Sequence, residues 1–541
     1  MSGKAPAVLL AVLLILASAC SGPEAESSQE NTLRIGTTSP VRAANILKDT
    51  YLALYARISN PPLMTMNAAG EIAGVLVEEY RSDEEGRVWT FRLKEELFWS
   101  DGKPVTSQDV RFSIELTGQN NPYAYWIRDN LVESQTPDER TVIFRFGKSY
   151  NRLPFELITH NILPEHTWGR ISDPNTYSHN GPYLGCGPFV LQKANIGTGL
   201  LVFARNPYWT GQAPHIEKIE IHLYKNLDVL CLALEKGEVD TFYQYAATYP
   251  YANLERLRAK PNFAFLEQPD SGLTYLGFNL TAGPLTSAAL REAITLALDY
   301  EEIVRLELLG HGRPASRGFV PPYMPQYVET PLFRYDPDAA RSLLKKSGYS
   351  DENGDGLLED PEGKTLSLTL PTRQRYVRTA ELIRDYLRRI GIEVLPQIVD
   401  SSTWIALKEK FDYDLTISRT SPWGMYMHAG WATGYFDSRR TGEGVLRNVD
   451  DPAFHRLCDE ILAAKSPEDS AELARSVQAY YSRHLPAAAL YWSTLVIPYK
   501  KTFRGWVVDP LYGLYNIDTF IRLESEPHVS KRTTENKTPS N

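Results

Sequence analysis

The densest run of chemistry-bearing side chains is Asp351-Glu352-Asn353-Gly354-Asp355-Gly356, followed after five residues by Glu362. Oxygens at alternating positions, a glycine for the sharp turn and a last acid that can bind bidentately are what a hard cation needs. Asp351, Asn353, Asp355 and Glu362 are therefore candidate ligands of a structural calcium ion. The flanks are not those of a helix–loop–helix site, because the preceding helix ends near Gly348 and Thr365–Leu370 reads as a strand; a solvated turn accounts for the same residues. Gly310-His311-Gly312-Arg313-Pro314-Ala315 fits a loose dinucleotide-binding pattern. It follows a helical stretch (Ile303, Leu306, Leu309) and runs into loop, whereas that site needs a strand before the turn and a helix after it. No HExxH, no GxSxG elbow and no Walker-type phosphate loop occurs, so binding outranks catalysis and no cofactor is required. Nor is there a CxxC; once Cys20 is set aside, Cys186, Cys231 and Cys458 remain. A Cys186–Cys231 disulfide stays open, since spacing alone cannot decide it.

What frame would hold such residues? A chain of 541 residues exceeds the roughly 250–300 at which one hydrophobic core stops growing, so two or more lobes are expected. Charged residues make up 23%, and 57 basic against 66 acidic side chains leave a net charge of −9. The basic excess of a nucleic-acid binder is missing, and no such partner is expected. Aromatic residues reach 11%, including 31 Tyr and 10 Trp; a buried ring must still place its OH or NH, so part of this excess suits a cleft.

The first nineteen residues read as an export signal: one early charge at Lys4, an apolar run from Leu9 to Leu16, then small residues before Cys20. The run is shorter than the ~20 residues that span a bilayer. The cysteine after small residues resembles the lipobox of bacterial lipoproteins, with Leu16 one place earlier than that pattern prefers. The resemblance implies a lipid on Cys20 that anchors the protein to a membrane. Residues 20–31 are polar and read as a tether, and 524–541 as a second disordered tail.

Between the tails, strand and helix patterns alternate. Val88–Leu93 and Ile219–Leu223 alternate at period two. Asp336-Pro337 opens a helix over Ala340, Leu343 and Leu344 that Gly348 stops. A second helix carries Ala380, Ile383, Leu387 and Ile390 and stops at Gly391; a third starts at Ser466-Pro467 and runs over Leu473 and Val477. Asp101-Gly102 is a turn dipeptide, so Val88–Leu93 and Phe98-Trp99 are expected in one small sheet. The class is α/β.

An ordered series of segments then resembles the extracytoplasmic solute-binding proteins of ABC importers, in the peptide, nickel and opine class. It comprises Trp89–Leu93 running into Phe98-Trp99-Ser100-Asp101-Gly102-Lys103-Pro104, then Gly185-Cys186-Gly187-Pro188-Phe189, Asn206-Pro207-Tyr208-Trp209, Gly237-Glu238-Val239-Asp240, Phe278-Asn279, Arg291-Glu292-Ala293, and Tyr335-Asp336-Pro337 through Gly348-Tyr349 to Gly391-Ile392. Most of these residues read as scaffold. The resemblance implies the two-lobed periplasmic-binding-protein fold, type II-like with an enlarged first lobe and a hinge. Lobe I would be 32–285 plus 495–523, and lobe II 286–494. A monomer is expected that delivers a peptide or peptide-like solute to a permease and its ATPase.

Peptide-binding members carry an Asp in a Trp-rich segment that pairs with the peptide amine, a partner that a buried charge needs. The matching stretch here, Ile417 to His428, contains no acid. It is similar instead to the nickel-chelate binders, with Ser421-Pro422 inserted before Trp423. Arg419 would grip ligand carboxylates, Trp423 and Tyr426 would stack, and His428 would complete a metal shell. Arg128 and Arg375 are further candidates for anion contacts. A metal chelate is thus the alternative ligand, and an extracytoplasmic hydrolase or non-transport receptor the alternative of another class.

Overall fold

The computed structural model describes residues 31–39, 41, 45–47, 54–67, 71–120, 124–177, 183–244, 247–320, 327–420, 435–440, 446–509 and 512–525. Cys20, the export segment, Trp423, Tyr426 and His428 lie outside the described residues. Among the described residues no helix is long and apolar enough to cross a membrane.

Among the described residues nine strands form the principal sheet: β1 (Thr32–Thr37), β2 (Phe189–Asn195), β3 (Leu200–Arg205), β4 (Lys218–Leu223), β5 (Thr241–Tyr243), β6 (Phe263–Phe278), β7 (Gly312–Pro314), β8 (Leu415–Arg419) and β9 (Ala487–Lys500). Their order is β8-β6-β9-β5-β1-β4-β3-β2, with β7 also on β9. β1 runs parallel to β4 and β5; the other pairs are antiparallel.

The long pair β6–β9 contributes to several apolar clusters. Its first part runs from Phe263↔Lys500 to Pro269↔Thr494 and its second from Leu273↔Trp492 to Gly277↔Ala487. On the first side, Phe263 and Val496 pack with Leu230, Leu234 and Leu254. On the second, Leu276, Ala488 and Leu490 pack with Ile294, Leu368, Ile383 and Ile417. The ladder is interrupted between these two parts, at 269–273 on β6 and 492–494 on β9.

A separate four-stranded antiparallel sheet enlarges the first lobe, in the order Val77–Ser82, Val88–Leu93, Thr141–Phe146, Leu131–Asp138. Phe98-Trp99 is not part of it. Phe98 makes a single bridge to Pro104 across the Asp101-Gly102 turn; proline has no N–H to extend a ladder. Trp99 is fully buried and its indole N–H donates to Asp109 (3.2 Å).

The three helices form as their caps require. Asp336 accepts from the Ala339 N–H (2.9 Å) ahead of Pro337–Lys346, and Ser466 from Asp469 (3.0 Å) ahead of Pro467–His484. Val377–Arg388 buries Ala380, Ile383 and Leu387.

The start of the tail is corrected. The tail begins later than 524, because Glu524–Ser525 pairs with Phe503–Arg504 and the Ser525 hydroxyl donates to Asn31 (2.7 Å). The pairing left open by the sequence does not form: Cys186, Cys231 and Cys458 are free, buried thiols, Cys231 in one apolar cluster and Cys186 and Cys458 in another.

Candidate functional site

Strands Ser367–Thr372 and Glu393–Ile398 pair in parallel, and β8 runs beside the first in the same sense. Asp414 accepts from the Thr369 N–H and hydroxyl (2.8 Å each), and the Thr416 hydroxyl reaches the Pro371 carbonyl (3.5 Å). Ligands of open α/β sheets bind outside the carboxyl ends of such strands. Two segments emerge at this edge, Arg373-Gln374-Arg375-Tyr376 and Arg419-Thr420, next to the interruption of the β6–β9 ladder.

Arg373 lies flat on Trp404, its guanidinium carbon 4.0 Å from the ring centroid and 5.3 Å from that of Tyr376. One of its terminal nitrogens is 3.4 Å from the Ser418 hydroxyl. Trp404 is itself fixed by an indole hydrogen bond to Thr416 (2.9 Å). Arg375 is exposed, 5.1 Å from the Tyr376 ring centroid, and makes no ion pair among the described residues. The edge is a cationic shelf with an aromatic floor, suited to carboxylates.

Arg419 is placed at this edge but is not exposed there. Its side chain is 9% exposed and forms an ion pair with Asp270 of β6, which is 6% exposed. Burial alone would pull the guanidinium down; Asp270 and the surrounding phenols of Tyr376, Tyr491 and Tyr251 hold it above its ordinary value. The next residue, Thr420, is pinned to β6 as well. Its N–H donates to the Leu273 carbonyl (2.9 Å), and its hydroxyl oxygen accepts the Leu273 N–H (2.7 Å).

The structure thus brings Arg375 and Arg419 to one edge, with Arg373 and Asp270, which sequence reasoning missed. Arg373 carried a signal, an arginine directly after a strand. Asp270 carried none, since its partner lies far along the chain. Arg128 stands apart, exposed on the short helix Tyr125–Asn130 beside Leu131–Asp138, with both ends of its guanidinium on Asp129 (2.8 and 3.2 Å).

In the loop at 351–362 the side-chain oxygens turn onto the loop's own backbone. Asp351 accepts from Gly354 and Gly356, Asn353 from Asp355, and Asp355 from Leu357 (2.7–3.0 Å). Buried Glu359, not Glu362, closes the turn by accepting from the Glu352 N–H and the Asn353 amide (2.8 Å each). Among the described residues no three His, Cys, Asp or Glu side chains are gathered to hold a metal ion.

One cluster has the residue types of a hydrolase: Ser438, His455 and Asp437. The Ser438 hydroxyl lies 3.1 Å from His455 Nε2, and the same nitrogen faces Asp437 (3.5 Å) and Asp450 (3.7 Å). A nucleophilic triad needs the carboxylate on the other ring nitrogen, so that one nitrogen takes the serine proton while the other is held. Asp437 instead binds Arg439 and Arg440.

The comparisons with known proteins agree with this geometry. Residues 71–442 match the family described as bacterial extracellular solute-binding proteins, family 5 middle. The oligopeptide-binding protein AppA of Bacillus subtilis is 25% identical, over 95% of this chain and 98% of that protein. The nickel-binding periplasmic protein of Escherichia coli is 24% identical, over 77% and 80%. The structure of NikZ from Campylobacter jejuni in complex with Ni(L-His) superposes with a TM-score of 0.77 at 18% identity, covering 92% of this chain and all of that one. The fold is that of the two-lobed periplasmic solute-binding proteins. The chain belongs to the bacterial extracellular solute-binding proteins of family 5.

Proposed function

We propose that this protein captures a peptide or peptide-like solute between its lobes and delivers it to the permease and ATPase of an ABC importer. The observation that carries the reading is the shelf of Arg373 and Arg375 at the carboxyl edge of lobe II, beside that interruption. Such a shelf favours a solute with a carboxylate end. Asp270, the carboxylate beside it, is committed to Arg419, so a free α-amine does not find its counter-ion there. Amine-blocked or otherwise modified peptides fit better than simple free ones. AppA, named as oligopeptide-binding, supports the class.

A metal chelate is the second reading. It is favoured by the nickel-binding relative and by Trp423, Tyr426 and His428 in the segment that leaves Thr420. Chelator carboxylates would meet the same arginines. The Ser438 cluster lends the hydrolase reading no support. The protein would act as a monomer outside the cytoplasm, tethered by a lipid on Cys20; metabolic labelling with a fatty-acid analogue should mark the wild type and not Cys20→Ala.

Native mass spectrometry of protein purified from its host without refolding tests the function. A retained species with the mass of a peptide or a metal chelate is expected. A ligand with neither amide nor carboxylate would overturn the reading.

A further inference from the structure

We propose that the helix Pro467–His484 and the segment 328–331 form a second ligand site, one that takes a small amide bearing a carboxylate, such as an N-acylated amino acid. The site goes beyond the proposed function, since it shares no residue with the arginine shelf at 373–376.

Gln478 is the starting point. It is 1% exposed, yet neither the nitrogen nor the oxygen of its side-chain amide has a hydrogen-bond partner among the described residues. Buried polar side chains are nearly always paired, because a donor or acceptor taken from water without a replacement is costly. Ala474, Val477 and Tyr481 give the helix its apolar face, and Gln478 stands where that face meets the exposed one. An apolar side chain would complete the packing there, whereas an amide calls for a partner. The Gln478 side chain lines a cavity of about 370 Å³ between the helix and segment 328–331, a volume of small-molecule size. Gly318 leaves room for the amide, since a Cβ there would stand 2.6 Å from Gln478 Oε1 and 2.9 Å from the Thr330 hydroxyl oxygen. That hydroxyl is shared with Ser316 (2.5 Å) and leaves the amide unpaired.

The charges around the amide indicate what the partner carries. Arg475, Gln478, Ser482 and Arg483 follow at i, i+3, i+7 and i+8, the spacing of one helix face. The two arginines are therefore about 12 Å apart along the axis, one on either side of the amide. Both are exposed, both line the cavity, and neither makes an ion pair among the described residues. Glu329 is the single acid among the described lining residues, so the cavity favours an anion. A carboxylate offers acceptors only and suits the guanidinium forks. An anion without an N–H would pair the Gln478 nitrogen and leave its oxygen unsatisfied. A second amide offers Gln478 one acceptor and one donor side by side, and an N-acylated amino acid joins that amide to a carboxylate without bringing a charged amine to the arginines.

The test uses the full-length chain with N-acetylglycine as the probe, and acetate and acetamide as its two halves. Amide hydrogen exchange locates the site. N-acetylglycine should slow exchange several-fold over 327–332 and 475–485, and either half alone at the same concentration should not. The concentration giving half of that protection should rise roughly tenfold in Gln478→Leu, which keeps the volume and removes the amide, and in Arg475→Ala. Gly318→Ala, which displaces the amide and keeps every polar group, should weaken binding in the same way and serves where Gln478→Leu does not fold. Arg128→Ala, which removes an exposed arginine elsewhere, should change nothing. Protection by acetate equal to that by N-acetylglycine, or protection undiminished in Gln478→Leu, would overturn the proposal and leave an anion on two surface arginines. No protection of these segments at about 50 mM probe, well above the millimolar range expected of so small a ligand, would overturn it and leave a hydrated cavity. Protection confined to 369–376 and 415–420 would place the probe on the arginine shelf, and the second site would fall while the proposed function stood.

Discussion

His160 Nδ1 lies 2.8 Å from the backbone carbonyl of Glu156, one helical turn back, and both side chains are sealed in the first lobe at 5% and 1% exposure. Burial pushes the Glu156 carboxyl up to about 7, against Arg152 and Tyr150. Burial pulls the His160 imidazole down to about 4, against that carbonyl. Between about pH 4 and about pH 7 both groups are mainly neutral, and the two respond to pH in opposite directions.

Their linkage to stability follows. Glu156 contributes stability that is complete below its unfolded value of 4.5 and lost as pH rises to about 7; His160 contributes stability complete above 6.5 and lost as pH falls to about 4. Between these limits the two nearly cancel. Glu156→Gln should expose the histidine alone, with stability dropping by about 3 kcal/mol from pH 6.5 to 4 relative to the wild type. His160→Gln should show the reverse, a similar loss from pH 4.5 to 7. Urea titrations at four pH values would check this, and parallel profiles for wild type and both variants would refute it.

The three buried thiols should be inert in the native state. Burial raises the pKa of Cys186, Cys231 and Cys458, and the thiolate is the reactive form. An aromatic disulfide reagent at pH 8 should label none of them within minutes and all three once the protein is unfolded. Rapid stoichiometric labelling of the folded protein would contradict the packing described.

Asp240 ends the Gly237–Asp240 segment that the family resemblance singled out, and its role is structural. It is 2% exposed, accepts from the Arg34 backbone and guanidinium (2.8–3.0 Å) and binds Lys500 (2.7 Å), locking β1 to β9 beside β5. Asp240→Asn should cost about 2–3 kcal/mol, less than for a fully sealed pair because Arg34 is one-third exposed. Chemical denaturation measures that loss, and solute affinity in the folded variant should stay within about twofold of wild type.

What was legible in the sequence is what local chemistry decides. Asp336-Pro337 and Ser466-Pro467 announced their helices because a cap and a first-turn proline act within four residues. Val88–Leu93 announced a strand because one of its faces is buried. The site was less legible because it is assembled by contacts at long range. Asp270 meets Ser493 across 223 positions, and no spacing rule connects either with Arg419, so an arginine read as free to grip a ligand proves to be held from within. The 351–362 loop is ambiguous for the converse reason. Asp and Asn that could ring a cation also satisfy a tight turn, and here their oxygens hold backbone N–H groups.

The last prediction separates the arginines by position. Arg375 is exposed at the carboxyl edge, Arg373 is fixed on Trp404 beside it, and Arg128 is clasped by Asp129 on the short helix Tyr125–Asn130. A charge-assisted hydrogen bond to a ligand carboxylate contributes about 1.5–3 kcal/mol, which is roughly ten- to a hundredfold in affinity. Arg375→Ala should weaken binding of an amine-blocked peptide or a nickel–histidine chelate by that factor. Arg373→Ala should weaken it at least as much, because it also strips the face of Trp404, and Arg128→Ala should leave it unchanged. Tryptophan fluorescence titrations report occupancy, since Trp404 is the floor of the shelf. Equal affinity in Arg373→Ala, Arg375→Ala and wild type, together with submicromolar binding of an ordinary free peptide, would place recognition elsewhere in the cleft and would mean that the solute amine finds a carboxylate other than Asp270.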